Sequence, residues 1–333
     1  MDSPPDGSSD SPGAVSAAPA AAEARASTRS LGAVLRDYLV LAKPEISSVV
    51  TLSAFAGFLV GSPAGMDGGV LAWAMLGTAL CAGGVGMLNH VLERRFDAQM
   101  KRTSARPLPA GRVNPDRARD VGVFLVCAAV GILCPLVNAL TATLAALTAV
   151  LYLFVYTPLK RRTKWNTLIG TVPGALPALG GYTAATGQLG TGGWAVFGIL
   201  ACWQMPHFLS LAWMYRKDYE RGDYAMLPVV EPEGDSTARQ MIGFAALLVP
   251  TSVLPVLTDA AGWIYGVGVV PLGLWFLWTT LVFNGERTGQ KAKRVLKASV
   301  LYIPALVALL VGGRESRKDS SGRLCSVTVR TDS

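Results

Sequence analysis

The chain has 333 residues, 51% of them hydrophobic and only 16% charged, with a formal net charge of +8 at pH 7. So few polar side chains cannot cover a soluble domain of this size, which excludes a water-soluble enzyme and places the chain in a bilayer. The basic excess is then a matter of topology, because Lys and Arg collect in cytoplasmic loops, and no nucleic acid is needed to explain it.

Residues 1–30, MDSPPDGSSDSPGAVSAAPAAAEARASTRS, are rich in Ser, Pro and Ala, carry three Asp and lack an apolar core. They match neither a secretory signal nor an acid-poor transit peptide. A disordered tail over 1–36 is expected, then a membrane domain over 37–313 and a polar tail over 314–333. Uncharged runs of about twenty residues, the length that crosses a bilayer core, mark the spans. The first two are 46–61 and 69–92. The uncharged runs 121–159 and 165–215 are each too long for one helix. The first can turn at Pro135 to Asn138 and the second at GQLGTGG, 187–193, where glycine frees the backbone. They divide into 120–137 with 139–157, and 166–184 with 194–214. Runs at 240–257, 262–283 and 297–311 complete an all-α, polytopic bundle of about nine transmembrane helices.

Charge placement tests that count. The thirty basic residues fall as 4 before the first span, 8 between the second and third, 4 between the fourth and fifth, 4 between the sixth and seventh, 5 between the eighth and ninth, and 5 after the ninth. The four remaining gaps hold none. A cytoplasmic N-terminus follows; only the five basic residues after Gly313 disagree with it. Five cysteines, Cys81, Cys127, Cys134, Cys202 and Cys325, show no CxxC and no histidine at ligand spacing, and read as packing residues.

Where the second span reaches the cytoplasmic side, the sequence is NHVLERRFDAQMKRTSARPLPAGR, 89–112. Asn89, Glu93 and Asp97 are four apart, so a helix presents them on one stripe about 12 Å long. A second acidic group, Asp218, Glu220 and Asp223 in YRKDYERGDYAMLPV, follows the sixth span on the same side. Facing carboxylates repel, and a divalent cation with oxygen ligands relieves the repulsion, most simply Mg²⁺ shared with substrate phosphates. The basic loops between them supply counter-charge: Lys101, Arg102, Arg106 and Arg112 after the first group, then Lys160, Arg161, Arg162 and Lys164 in YTPLKRRTKWN. Guanidinium forks suit phosphate oxygens. An anionic head beside an apolar bundle implies a substrate with a lipid-like tail, and a prenyl diphosphate meets both conditions. His207, inside the sixth span, reads equally as a ligand-orienting residue or as a hydrogen-bond partner for a neighbouring helix; His90 reads as structural.

These residues resemble the UbiA-type intramembrane prenyltransferase superfamily and, within it, the protoheme IX farnesyltransferase (heme O synthase) family. Asn89, Glu93 and Asp97, then Arg102-Thr103 and Arg106-Pro107-Leu108, match its first signature, with Glu93 standing where many members carry Asp. YTPLKRRTKWNTLIGTVPGALPALGGY, WQMPHFLSLAW and DYERGDYAMLPVV follow in the same order, and the likeness runs from about Lys43 to Tyr302. Asp223 adds an acid where a small residue is expected.

The resemblance implies transfer of a farnesyl group from farnesyl diphosphate to a vinyl group of heme B with addition of water, in a bacterial inner membrane. It makes heme A synthase or terminal oxidase assembly factors natural partners. Asn89, Glu93, Asp97, Asp218 and Asp223 would be catalytic, with Mg²⁺ on Asn89, Glu93, Asp97, Asp218 and Glu220. The diphosphate would lie on Arg102, Arg106, Lys160 and Arg161, and heme would touch His207. Tyr152, Tyr156, Tyr182, Trp203 and Phe208 are candidates to face the allylic cation. Two other readings stay open: a 4-hydroxybenzoate polyprenyltransferase on the same fold, and a transporter, whose charged groups would sit near the midplane.

Overall fold

The structure, a computed structural model, describes residues 30–62 and 65–327, with side chains as far as Gly313. Most of the tail expected to be disordered, residues 1–29, lies outside the described residues. A short helix α1 (Leu31–Leu41) begins inside the last part of that tail, so 31–36 belong to an ordered element. Nine long helices follow among the described residues: α2 (Pro44–Gly61), α3 (Gly68–Asp97), α4 (Pro115–Leu136), α5 (Ala139–Leu159), α6 (Asn166–Thr186), α7 (Thr191–Met214), and, after short helices α8 (Arg216–Arg221) and α9 (Leu227–Val230), α10 (Asp235–Leu257), α11 (Trp263–Gly285) and α12 (Gly289–Val327). Eight are long and apolar enough among the described residues to cross a membrane. The ninth, α6, has 21 residues, Pro173 and Pro177 within it, and most of its length buried in the bundle.

The helix ends follow local chemistry. Asp67, Asn114 and Asn138 cap α3, α4 and α5 through side-chain oxygens that accept backbone N–H bonds. Pro44 and Pro115 open α2 and α4 at positions where no N–H is needed. The turn between α4 and α5 falls at Val137–Asn138, and α6 stops at Gly187, whose φ of +72° glycine tolerates. Both expected breaks are therefore present. The last helix is longer than expected: it starts at Gly289, and its backbone continues to Val327, past the start of the proposed polar tail.

Lipid offers little hydrophobic drive between helices, so close approach must come from small residues. A Cβ on Gly57 of α2 would fall on the Ala178 carbonyl of α6, and one on Gly181 of α6 would fall on the Ala54 carbonyl of α2. Gly84 of α3 and Gly122 of α4 meet similarly, with 2.7 Å from a Cβ on Gly84 to the Gly122 oxygen. The largest core joins α7, α10, α11 and α12 around Tyr265, Phe276, Phe283 and Tyr302. Its polar atoms are satisfied inside it: the Tyr265 hydroxyl donates to the Ser252 carbonyl and the Tyr302 hydroxyl pairs with Ser252 Oγ, both at 2.8 Å. Phe124, Phe154, Leu257, Trp263 and Val267 lie exposed on the outside, a lipid-facing surface. The chain is an integral membrane protein.

Candidate active site

Helix α3 positions the site by its length. Its 30 residues extend about 45 Å at 1.5 Å each, against a hydrocarbon core of about 30 Å, so its last turns stand beyond the core. Those turns carry Asn89, His90, Glu93 and Asp97, all buried within the protein. Asn89, Glu93 and Asp97 each have a basic partner. Lys160 Nζ lies 2.9 Å from Glu93 Oε1, Arg106 Nη1 lies 2.9 Å from Asp97 Oδ2, and Lys43 Nζ donates to Asn89 Oδ1 at 2.6 Å. Asn89 also donates from Nδ2 to Thr157 Oγ1. Thr103 Oγ1 donates to the Asp97 carbonyl at 2.7 Å, which folds the 98–114 loop back over the helix end and delivers Arg102 and Arg106.

A cavity of about 450 Å³ opens beside this stripe. Glu93, Asp97, Arg102, Arg106 and Lys160 line it, with the aromatic rings of Tyr152, Tyr156, Phe208, Tyr219 and Tyr224. Tyr152 and Tyr156 belong to a π-helical turn, Leu151–Tyr156, near the end of α5, a local widening common at functional sites. The Lys160 ammonium stands 4.7 Å from the Tyr156 ring centre. Tyr224 is held there because the 222–226 loop is tied to the α5–α6 loop: Ala225 N–H donates to the Lys160 carbonyl, and Asn166 Nδ2 donates to the Ala225 carbonyl, both at 2.9 Å.

Charge states follow from enclosure. Burial disfavours the Lys160 ammonium, but the Glu93 carboxylate and the Tyr156 and Tyr152 hydroxyls more than offset it, and its pKa stands well above the ordinary lysine value. Burial brings Lys43 down to about 7 against the attraction of Glu93. Burial, then the Glu93 charge, pushes the Tyr224 hydroxyl well up.

A second, apolar cavity runs into the bundle between α2, α3, α5 and α6, reaching Leu133, Leu144 and Leu176. Lys43, Ile46 and Tyr152 line both, so the polar chamber and the apolar one share a wall.

Five of the expected residues thus converge: Glu93, Asp97, Arg102, Arg106 and Lys160. Asn89 lies behind the wall, its carbonyl oxygen occupied by Lys43. The second acidic group does not line the cavity. Asp218 pairs with Arg221 at 3.2 Å, Asp223 pairs with Arg161 at 3.3 Å, and Glu220 is exposed. Among the described residues no group of three or more His, Cys, Asp or Glu side chains gathers in one place, so no all-protein metal cage is present. Arg161 lies over the Phe96 ring rather than in the chamber. His207 bonds through Nδ1 to Ser299 Oγ of α12 at 2.8 Å and stacks on Trp203, so it serves helix packing here. Trp203 and Tyr182 are likewise outside both cavities.

Sequence reasoning missed Lys43, Tyr219 and Tyr224. The signal for Lys43 was its place directly before Pro44, a lone cation at the mouth of the first span, and its φ of +50°, unusual for a lysine, is a strained backbone of the kind found at functional sites. His90 lines the chamber with both ring nitrogens buried and without a hydrogen-bond partner among the described residues, Nδ1 standing 4.0 Å from Asp97 Oδ2, although it reads as structural from sequence.

Comparisons with known proteins agree with this architecture. A protoheme IX farnesyltransferase of Salinibacter ruber (strain DSM 13855 / M31) is 86% identical over 278 residues, 84% of this chain and 98% of its own. One of Solibacter usitatus (strain Ellin6076) is 43% identical over 286 residues, covering 83% of this chain and 98% of that one. Among solved structures, a digeranylgeranylglyceryl phosphate synthase superposes with a TM-score of 0.69 at 16% identity, over 84% of this chain and 98% of that one. A UbiA homolog from Archaeoglobus fulgidus bound to GPP and Mg2+ superposes with a TM-score of 0.61 at 16% identity, over 83% and 99%. The model of the UbiA prenyltransferase family matches residues 50–302, and the chain belongs to that family.

Proposed function

We infer that this protein transfers a farnesyl group from farnesyl diphosphate to a vinyl group of heme B with addition of water, giving heme O and diphosphate. The observation that carries the reading is the shared wall of the two cavities: a cationic chamber for a diphosphate, bounded at Lys43, Ile46 and Tyr152 by an apolar one for the prenyl chain. The acceptor and the prenyl length rest on the likeness to the protoheme IX farnesyltransferases.

Cleavage of the allylic C–O bond leaves the electron pair on the departing diphosphate. Arg102, Arg106 and Lys160 donate hydrogen bonds to that charge in an enclosed site, where such bonds count most. The vinyl π pair of the heme closes the new C–C bond to farnesyl C1. The positive charge left on the vinyl carbon next to the ring takes water, and loss of one proton from that water leaves a hydroxyl. The Tyr152 and Tyr156 rings face the developing cation.

The donor set fits a divalent cation: Glu93 and Asp97 offer hard oxygen donors one turn apart, the number Mg²⁺ takes alongside substrate phosphates. When bound, the ion supplies Lewis-acid neutralisation of the leaving diphosphate. Asp218 stands beside Tyr219, a chamber residue, with its own side chain only 16% exposed; released from Arg221 it is our third carboxylate. Glu220 and Asp223, both exposed, have less support. The basic loops support a cytoplasmic position for this end of the bundle, and the likeness to the bacterial relatives supports an inner membrane as its setting.

The test is product identity. Purified protein given farnesyl diphosphate, Mg²⁺ and both heme B and 4-hydroxybenzoate should yield heme heavier by one farnesyl group plus the elements of water. A prenylated phenol with heme B unchanged would overturn the acceptor.

A further inference from the structure

A third hollow, of about 720 Å³, adjoins the polar chamber on its outer side, between α1 and the 98–114 loop. Arg36, Asp37 and Val40 of α1 face Arg102, Arg106 and Arg112 of the loop across it. Val40, Arg102 and Arg106 line the polar chamber as well, so the two spaces share a boundary. Arg112 pairs with Asp37 at 3.3 Å and Arg106 with Asp97 at 2.9 Å. Arg36 is exposed, Arg102 stacks on the Tyr215 ring at 4.8 Å, and neither has a carboxylate partner among the described residues. The hollow therefore carries two guanidinium groups with no carboxylate partner among the described residues, beside the apolar side chains of Ala33, Val40, Ala105 and Pro107. Its size is within the range of about 300–1,000 Å³ usual for a small-molecule site.

We propose that this hollow seats the propionate carboxylates of the porphyrin acceptor, which Arg36 binds, with Arg102 on the boundary between those carboxylates and the diphosphate, while the ring lies over Val40 and its vinyl edge reaches the polar chamber. The inference rests on the function proposed above. Its chemistry is that of the acceptor itself: a flat apolar ring with two carboxylates on one edge and vinyl groups on the opposite side. Guanidinium groups bind carboxylates in planar, two-bond geometry, which fixes orientation as well as position. Gripping one edge presents the other to farnesyl C1, and a reaction that depends on near contact gains most from such placement. An anionic lipid headgroup offers similar chemistry, so the test separates the two.

Arg36→Gln is the informative variant, because the side chain is exposed and its loss leaves no void. The KM for heme B should rise about 10-fold while that for farnesyl diphosphate stays within about 2-fold, the former corresponding to ~1.4 kcal/mol. With the propionates of heme B converted to methyl esters, wild type and Arg36→Gln should turn over alike. The measurement is made in phosphatidylcholine vesicles and repeated with phosphatidylglycerol added. A heme KM unchanged in Arg36→Gln, or an equal defect with the diester, would overturn the carboxylate seat. A defect confined to vesicles containing phosphatidylglycerol would assign the hollow to a lipid headgroup instead. Wild-type protein that makes no farnesylated heme in any vesicle would sink the underlying function; wild-type protein that makes it, indifferent to Arg36 and to esterification, sinks this inference alone.

Discussion

At the scale of single residues, the site sets buried carboxylates against partly buried cations, and the two pairs answer differently to substitution. Asp97 is held by Arg106, whose side chain is 27% exposed, so Asp97→Asn leaves a cation that water can still reach. That variant should fold and insert normally yet lose ~100-fold or more in turnover, the scale of removing one charge-stabilising group. Asp218→Asn should behave the same way if it joins the metal, and chelation of Mg²⁺ should stop the wild type until the ion is restored. Near wild-type rates for both variants, measured as diphosphate release, would remove the metal assignment. Lys160→Met is a harsher change, because it strands the Glu93 carboxylate in the wall; breaking such a pair costs about 3–5 kcal/mol, and thermal stability should fall along with activity. Glu93, Asp97 and their cations were legible in the sequence because four-residue spacing on a helix is a geometric statement. Lys43 and Tyr224 were not, since a cation before a span looks like topology and a tyrosine in a loop like an anchor. What places them is a set of contacts between distant segments: Lys43 to Asn89, and Ala225 to Lys160.

At the scale of elements, the α2–α6 contact brings Lys43, at the start of α2, to the site and forms part of the wall of the apolar cavity. It rests on Gly57 and Gly181, where any side chain meets a backbone carbonyl that cannot move without its helix. Gly181→Val should therefore separate the two helices. The expected loss is at least about 1–3 kcal/mol, read as a lower melting temperature in detergent, with farnesyl diphosphate affinity falling too. Gly243→Ala, where a Cβ meets nothing within 4 Å, serves as the control and should change neither. A Gly181→Val protein as stable as the control would show that the helices are not held by close approach. Helix limits were readable from caps, prolines and uncharged runs. The extension of α12 was not, because the basic stretch 291–297 hides a helix that begins before the apolar run does.

At the scale of the whole molecule, the bundle is polar at one end and lipid-facing along its sides, and the orientation we propose for it follows from its asymmetry of charge. Cysteine introduced at 190, in an uncharged loop, should react with an impermeant reagent added outside sealed cells; cysteine at 104, in the basic loop, should react only after lysis. The reverse pattern would invert the protein. The nine long helices among the described residues, eight of them long and apolar enough to cross a membrane, were legible because lipid demands long uncharged helices, whereas the chamber and the apolar cavity beside it arise only when α2, α3, α5 and α6 pack together, which no local pattern states. The central claim is that one substrate occupies both cavities, head in one and tail in the other. Photo-crosslinking tests it most directly, with a farnesyl diphosphate analogue carrying a diazirine at the far end of its chain. The account predicts labelling of Leu133, Leu144 or Leu176, abolished by excess farnesyl diphosphate. Labelling confined to α10 and α11, with those leucines untouched, would contradict it.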